Sequence, residues 1–326
     1  MNSRTLKILV TQLGPLGNWL LATGAYLDIR NHYPNALIYH FTRTGLLEMA
    51  EQQGCFDHIL TTPWVANNQE PLSLLQRWSQ ALDFTRHWRS TFKGVGFDLI
   101  FDLHGGRKLR TVYLGTAPCR SRFFKLSRSR DHILQVYRET LSKAGIQSFG
   151  EPYLSKQQTC AHINLPSDPY VVFIPCSDRE HHNKNWPLER FVALAANFHT
   201  QAILPVIAGV EKNLTALEPL RNMPGNLDMV GKLTLPELAT TLCHAKLVVG
   251  VDTGTTHMAS ILGIPTVGLF GPTDMNRWKL CGANAHCLKG SSMHEIEADD
   301  VWATCQHLII HKRARENNKR SGDCNA

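Results

Sequence analysis

The sequence lacks any apolar run approaching the roughly 20 residues that a membrane-spanning helix needs. It opens with Met-Asn-Ser-Arg-Thr-Leu-Lys and passes directly into a strand-like segment, without the hydrophobic region of a secretory signal. Charged residues account for only 19% of the 326 residues, and hydrophobic residues account for 43%. These values are typical of an ordinary soluble globular protein, and we expect a cytoplasmic location.

Cysteines at metal-binding or disulfide-framework spacing are also lacking. The nine cysteines are scattered and odd in number, and none belongs to a Cys-x-x-Cys motif. Reduced, buried thiols are therefore the simpler interpretation. His181 and His182 are adjacent, but histidine pairs without a third placed ligand are usually just exposed to solvent.

The sequence has fewer acidic residues (27) than lysines and arginines (34), and the net charge of +7 implies an anionic partner. The excess is concentrated between Gly106 and Asp131, where no acidic residue occurs. The basic residues of this segment are Arg107, Lys108, Arg110, Arg120, Arg122, Lys125, Arg128 and Arg130. One interpretation is simply a solvated basic face.

The position of this basic segment favours a binding surface, because it follows a predicted strand end at Asp102, Leu103 and His104. A phosphorylated acceptor fits the placement. Nucleic acid fits less well, since the interleaved aromatic residues are limited and no known nucleic-acid module is present. We predict no nucleic-acid partner.

Strand-like apolar segments alternate with helical patterns along the chain, which predicts an α/β fold with a parallel, doubly wound sheet in each half. The predicted strands are residues 8–13, 36–41, 97–103, 170–175, 202–209, 227–231, 247–251 and 265–270. One predicted helix ends at residue 30 and another begins at residue 211. The other predicted helices span 187–197, 236–243, 255–262 and 295–310.

The length suits two domains rather than one core. A polar segment with two prolines, residues 155–169, predicts a linker. We expect a first domain at 1–160, a second at 168–310, and a basic, disordered tail at 311–326.

One stretch stands out between two strands that are predicted to be buried. It contains six consecutive polar or glycine positions: Asp252, Thr253, Gly254, Thr255, Thr256 and His257. A helix that starts here would direct its first N–H groups towards the carboxyl edge of the sheet, where an anion can bind. The alternative is that Asp252 or Thr253 only caps the helix. The same predicted edge carries Ser177, Gly209, Glu211, Gly231 and Leu233.

Several blocks spread over nearly the whole chain are similar to one known family. They are Leu13-Gly-Pro-Leu-Gly17, residues 97–104, residues 132–137, Lys184-Asn-Trp-Pro-Leu-Glu-Arg-Phe191, residues 252–257 and residues 263–273. The chain resembles the bacterial heptosyltransferases of glycosyltransferase family 9. These are inverting enzymes that move a heptose from ADP-heptose to the lipopolysaccharide inner core.

The resemblance implies a GT-B architecture, with two doubly wound Rossmann-like domains facing a central cleft. It implies that Lys184 neutralises the donor phosphates and that Glu211 holds the ribose. Asp252, Thr253, Gly254 and His257 would surround the diphosphate and the sugar, and Leu233 would meet the base through its backbone. The remaining residues expected around the donor are Ser177, Gly209, Gly231, Thr255 and Thr256.

The resemblance further implies that the acceptor, a phosphorylated lipopolysaccharide core, binds the first domain. Arg107, Lys108, Arg110, Arg120 and Arg122 are the predicted acceptor-binding residues. The protein would contact the anionic inner face of the inner membrane peripherally. We expect no metal and no cofactor beyond the ADP-sugar donor, since a lysine and a helix N-terminus can supply the positive field.

The chain departs from the family pattern at Asn18, where the family has an aspartate thought to deprotonate the acceptor hydroxyl. An amide cannot act as a general base at neutral pH. Either His104 or Asp102 serves instead, or the enzyme is slow or uses another sugar or acceptor, or the protein is a catalytically silent binding homologue. His104 could equally be a hydrogen-bonded loop histidine.

Overall fold

The computed structural model describes residues 5–62, 82–83, 86, 90, 92, 95–105, 122–127, 129–155, 159, 162–176, 183–209 and 214–322, the last twelve by their backbone alone. The chain divides into two compact units, Met1–Ser155 and Lys156–Ala326. The division falls at the start of the predicted linker.

The first unit contains a parallel five-stranded sheet in the order β3-β2-β1-β4-β5. Its strands are β1 (Lys7–Gln12), β2 (Leu37–Arg43), β3 (His58–Thr62), β4 (Leu99–Asp102) and β5 (Arg122–Lys125). Its described helices include α1 (Leu16–Leu21), α2 (Thr23–His32), α3 (Leu47–Gln53) and α4 (Ile133–Ser142). The three predicted strands of this unit are confirmed with small shifts at their ends, whereas β3 and β5 were not predicted.

The second unit contains a parallel six-stranded sheet in the order β11-β10-β9-β6-β7-β8. Its strands are β6 (Tyr170–Ile174), β7 (Leu204–Ile207), β8 (Leu227–Asp228), β9 (Leu247–Val251), β10 (Thr266–Phe270) and β11 (Ala285–Lys289). Its described helices include α5 (Leu188–His199), α6 (Glu218–Arg221), α7 (Leu235–His244), α8 (Gly254–Ile261), α9 (Met275–Trp278) and α10 (Ala298–Gly322).

Two sequence predictions are corrected in this unit. The edge strand β11 was missed, because its residues are partly exposed and mix His, Cys and Lys with apolar positions. The predicted disordered tail from residue 311 is wrong as far as Gly322, because α10 continues through residues 311–322. No proline interrupts this helix, and its first glycine is Gly322, so the sequence contains no stop signal before that point. The helix predicted to begin at Glu211 starts outside the described residues.

Each sheet has a point at which its winding reverses. In the first unit β1 pairs with β2 on one side and with β4 on the other. In the second unit β6 pairs with β7 and β9 in the same way. Ligands of doubly wound sheets bind at the carboxyl edge beside such a reversal. The ends of β1 and β4, and those of β6 and β9, are therefore where a site is expected. None of the described helices has the length and apolar character to cross a membrane.

A buried histidine lies at the centre of the first unit. His40 on β2 is completely inaccessible to solvent. Its Nε2 accepts a hydrogen bond from Trp19 Nε1 at 3.0 Å, and its Nδ1 lies 3.1 Å from the Val10 carbonyl oxygen, to which it donates. The ring is stacked on Phe56 with centroids 4.1 Å apart. Burial lowers the pKa of His40 to about 3, so the imidazole is neutral.

His40 should make the first unit sensitive to mild acid. An unfolded histidine binds a proton below a pKa of about 6.5, whereas folded His40 does not until about pH 3. The stabilisation is therefore complete above pH 6.5 and is lost as the pH falls from there. We expect the free energy of unfolding to drop by about 2 kcal/mol from pH 7 to pH 5 on account of this group.

Urea unfolding of the full chain at the two pH values checks this expectation. His40→Gln should reduce the loss of stability at pH 5, while His58→Gln, at an exposed histidine on β3, should retain it. An unchanged pH dependence in His40→Gln would contradict the assignment.

Candidate functional site

Helix α8 begins directly after β9, as the sequence predicts. Thr253 is the N-cap residue, with extended backbone angles, but its side chain makes no capping hydrogen bond. The first intrahelical bond joins the His257 N–H to the Thr253 carbonyl at 3.1 Å. The N–H groups of Gly254, Thr255 and Thr256 precede that bond and have no partner within the helix. The alternative in which Thr253 serves as a side-chain cap is therefore not supported.

Two of the predicted donor-binding hydroxyls are buried. Thr256 is fully buried, and its hydroxyl donates to the Val251 carbonyl at 2.7 Å, with Thr253 Oγ1 at 3.2 Å. This bond fastens the first turn of α8 to the end of β9. Thr255 is 4% exposed. Thr256 therefore positions the helix, and Thr253 and Gly254 are the partly exposed residues at its start.

Asp252 makes polar contacts with three other side chains of this site. Its Oδ2 accepts hydrogen bonds from Lys184 Nζ and from Thr273 Oγ1, each at 2.8 Å. His257 Nε2 lies 3.5 Å from Oδ1. Burial acts to raise the pKa of Asp252, but the contact with His257 and the charge of Lys184 outweigh it and hold the pKa well below its usual value. Asp252 is therefore a carboxylate at neutral pH.

Lys184 reaches Asp252 from the segment that follows β6. The next residues anchor that segment: Trp186 is buried, donates from Nε1 to the Ile296 carbonyl at 2.8 Å, and packs edge-on against Phe191. The ion pair thus crosses the reversal point between β6 and β9. The Lys184 side chain remains 24% exposed. It can therefore still meet a ligand.

The carboxyl ends of β7 and β8 are brought together beside these strands. The Gly231 N–H donates to the Gly209 carbonyl at 2.9 Å, and both residues have positive φ angles that favour glycine. Asp228 accepts from Arg221 at 2.6 Å and from Lys232 at 3.1 Å, and the Arg221 hydrogen bond is the main cause that lowers its pKa to about 2. Leu233 follows this turn and is half-buried. Ser177 and Glu211 lie outside the described residues.

In the first unit, a hydrogen-bond network connects the ends of β1 and β4. Gln12 Nε2 donates to the Leu103 carbonyl at 2.7 Å and to Tyr137 Oη at 3.2 Å. Tyr137 donates in turn to the Asn18 carbonyl at 3.2 Å. A Cβ at Gly14 would lie only 2.9 Å from Asn18 Cβ, so glycine is required there. The structure therefore places Asn18 and the loop after β4 in one connected cluster.

Asp102 and His104 occupy that loop. Asp102 is 1% exposed, and its Oδ1 accepts from the N–H groups of His104 and Gly105, each at 3.1 Å, and from Thr11 Oγ1 at 3.3 Å. Burial raises its pKa. The His104 Nδ1 is buried and has no hydrogen-bond partner in the described part of the chain. Burial, followed by the charge of Arg43, lowers the pKa of His104 to about 4.

The predicted acceptor-binding residues are only partly described. Arg107, Lys108, Arg110 and Arg120 lie outside the described residues. Arg122 pairs with Leu99 at the amino end of β5, away from the edge where Asp102 lies. Lys125 pairs with Asp102 at the carboxyl end instead.

Sequence reasoning missed several polar residues of the two clusters. Thr273 and Tyr137 lie inside similar blocks but are given no role by the sequence. Lys125 belongs to the basic segment but is not among the predicted acceptor-binding residues, and Gln12 carries no local signal of its own. Within the described residues, no group of three or more His, Cys, Asp or Glu side chains is arranged to hold a metal ion. His181 and His182 lie outside that part of the chain.

A model of glycosyltransferase family 9 (heptosyltransferase) matches residues 122–306, more than half of the chain. Lipopolysaccharide heptosyltransferase 1 of Salmonella typhimurium is 31% identical over an alignment covering 42% of this chain and 43% of that protein. The protein of the same name from Pseudomonas aeruginosa is 26% identical over 82% of this chain and 79% of its own length.

Solved structures show the same fold. A glycosyl transferase family 9 protein from Veillonella parvula superposes with a TM-score of 0.76 at 19% identity, covering 95% of this chain and 99% of that one. The Escherichia coli heptosyltransferase WaaC, solved with ADP, gives 0.74 at 18% identity, covering 93% and 100%. The predicted α/β fold with two Rossmann-like domains is confirmed.

Thr273 should contribute measurably to stability through Asp252. Thr273→Val removes one hydrogen bond to a buried carboxylate, and bonds to charged groups are worth about 1.5–3 kcal/mol. We expect a loss of that size in urea unfolding of the full chain. Thr200→Val, which removes an exposed hydroxyl bonded to the Asn197 carbonyl, should change stability by less than about 0.5 kcal/mol. Equal losses in the two variants would contradict a special role for Thr273.

Proposed function

The chain belongs to glycosyltransferase family 9, the heptosyltransferase family, and from this premise we propose that it transfers a heptose from ADP-heptose to the inner core of lipopolysaccharide. The relatives' names support the reaction, and the solved WaaC structure with ADP supports the nucleotide. The observation in this chain that carries the proposal is the Lys184–Asp252 pair beside the start of α8.

These groups suit a sugar diphosphate. The first N–H groups of α8, which have no partner within the helix, can donate to phosphate oxygens, and the helix dipole favours negative charge there. Lys184 adds a compact positive charge that a phosphate can draw away from Asp252. The Asp252 carboxylate can then accept hydrogen bonds from sugar hydroxyls.

The reaction is an inverting displacement. The acceptor oxygen forms a bond to the anomeric carbon while the bond to the ADP oxygen breaks, and the electron pair leaves with ADP. Lys184 and the α8 N-terminus stabilise the negative charge that develops on the leaving diphosphate. They supply the positive field without a metal ion. The acceptor proton must pass to a base.

The acceptor is a phosphorylated lipopolysaccharide core, bound by the first unit in the cytoplasm, at the inner face of the inner membrane. The net positive charge and Lys125 at the carboxyl edge of β5 support an anionic acceptor. The same charge supports peripheral contact with anionic lipid.

Lys184→Ala should weaken donor use. Loss of a charge-assisted contact worth about 1.5–3 kcal/mol corresponds to a roughly 10- to 150-fold weaker affinity for ADP. Calorimetric titration with ADP measures this effect, and steady-state ADP release measures its kinetic counterpart. Lys246→Ala provides a matched control, because Lys246 is exposed at the amino end of β9 on the opposite edge of the sheet. Equal affinity in the two variants would remove Lys184 from the donor site.

A second candidate function is a silent sugar-nucleotide or glycan-binding protein, and Asn18 is the observation that favours it. Incubation with ADP-heptose and truncated lipopolysaccharide cores separates the two. We expect wild type to release ADP only when an acceptor is present. Turnover by Asn18→Asp but not by wild type would support the silent homologue.

A further inference from the structure

Transfer to a hydroxyl releases a proton, and Asn18 cannot accept it. Another titratable group must therefore take it, and the cluster that contains Asn18 offers candidates. The Gln12 side chain joins this cluster to the loop after β4, because it contacts both the Leu103 carbonyl and Tyr137, and Tyr137 binds the Asn18 carbonyl. Two titratable side chains in that loop were predicted as candidates, Asp102 and His104.

The structure separates the two candidates. Asp102 is 1% exposed, and its Oδ1 already accepts three hydrogen bonds from Thr11, His104 and Gly105. Two of these bonds come from the loop backbone, so the carboxylate shapes the loop rather than facing a substrate. His104, in contrast, is partly exposed, so its ring can meet a substrate.

The imidazole of His104 is in the form that a base requires. The cation facing it from β2 is Arg43, the carboxylate beneath it on β4 is Asp102, and Lys125 on β5 acts on that carboxylate. Burial and Arg43 disfavour the imidazolium, so the ring carries a lone pair at neutral pH. Nδ1 is buried and faces no acceptor or donor in the described residues. This leaves Nε2 as the nitrogen for a substrate.

On the basis of the proposed transferase function, we propose that His104 is the general base, with Asp102 as its positioning residue. Nε2 takes the proton of the acceptor hydroxyl as that oxygen bonds to the anomeric carbon and ADP departs with the bonding pair. The proton then passes to water. Asp102 holds the backbone of His104 and Gly105 and so sets the direction of the ring.

The test compares wild type, His104→Ala, Asp102→Asn and the control His32→Gln, whose histidine is exposed at the end of α2. Each is assayed for ADP affinity and for acceptor-dependent ADP release from ADP-heptose. We expect His104→Ala to lose about 10²–10⁴-fold in kcat with unchanged ADP affinity. Added imidazole should restore part of the rate, which a purely structural role would not allow. His32→Gln should match wild type.

The pH profile gives an independent readout. The rate of wild type should fall as the pH drops through about 4, because His104 then binds a proton and can no longer act as a base. At neutral pH His104 is already in its active, neutral form. Asp102→Asn keeps an oxygen that can accept from the loop N–H groups, so it should lose less rate than His104→Ala.

Three results would overturn the proposal. Full activity of His104→Ala alongside active wild type would exclude His104 while leaving the transferase function intact. Complete loss in Asp102→Asn with an active His104→Ala would make Asp102 the base. If the wild type shows no acceptor-dependent turnover, both the proposed transferase function and the assignment of His104 as its base are wrong.

Discussion

The ion pair between Lys184 and Asp252 is the interaction on which the second unit's site depends. It joins the segments after β6 and β9, the adjacent strands at which the sheet reverses its winding. Asp252 is almost fully removed from water, so its desolvation must be offset by its partners. His257, Lys184 and Thr273 do this while also fixing the carboxylate's orientation. A ligand that attracts Lys184 must leave Asp252 with other donors, and sugar hydroxyls are suitable replacements.

The cluster forms because glycines let the backbone of one element pack closely against its neighbour. A Cβ at Gly250 would lie 2.4 Å from Thr256 Oγ1, and one at Gly271 would lie 2.8 Å from Met293. Glycine on β9 therefore lets the first turn of α8 sit directly on the strand, where Thr256 bonds to Val251. The direction of the helix N–H groups follows from this packing and from the Thr256 hydroxyl bond, so these buried contacts set the geometry of the proposed anion site.

The parts of the fold that follow from sequence are those with a local cause. Strands β9 and β10 are buried throughout and consist of continuous apolar runs, so they and α8 between them were predictable. Edge strand β5 was missed because its exposed Arg122 and Lys125 flank buried Phe124, a pattern that indicates a basic surface rather than a strand. Thr273 meets Asp252 across 21 residues of sequence. Contacts of this kind depend on sheet register, which a single sequence does not reveal.

An amide at position 18, where the resemblance leads us to expect a carboxylate, also bears on the electrostatics of the first unit. A phosphorylated acceptor carries negative charge, and a carboxylate base beside it suffers like-charge repulsion that a neutral imidazole avoids. Asn18 and the neutral His104 add no negative charge to oppose Lys125 and Arg43 at this edge, although Lys125 still interacts with the Asp102 carboxyl. The base gains no strength in exchange, because a pKa of about 4 is close to that of an aspartate and lies well below the working pH at which proton transfer is most efficient. With His104 as the proposed base, tight acceptor binding with modest turnover is the combination that these residues favour.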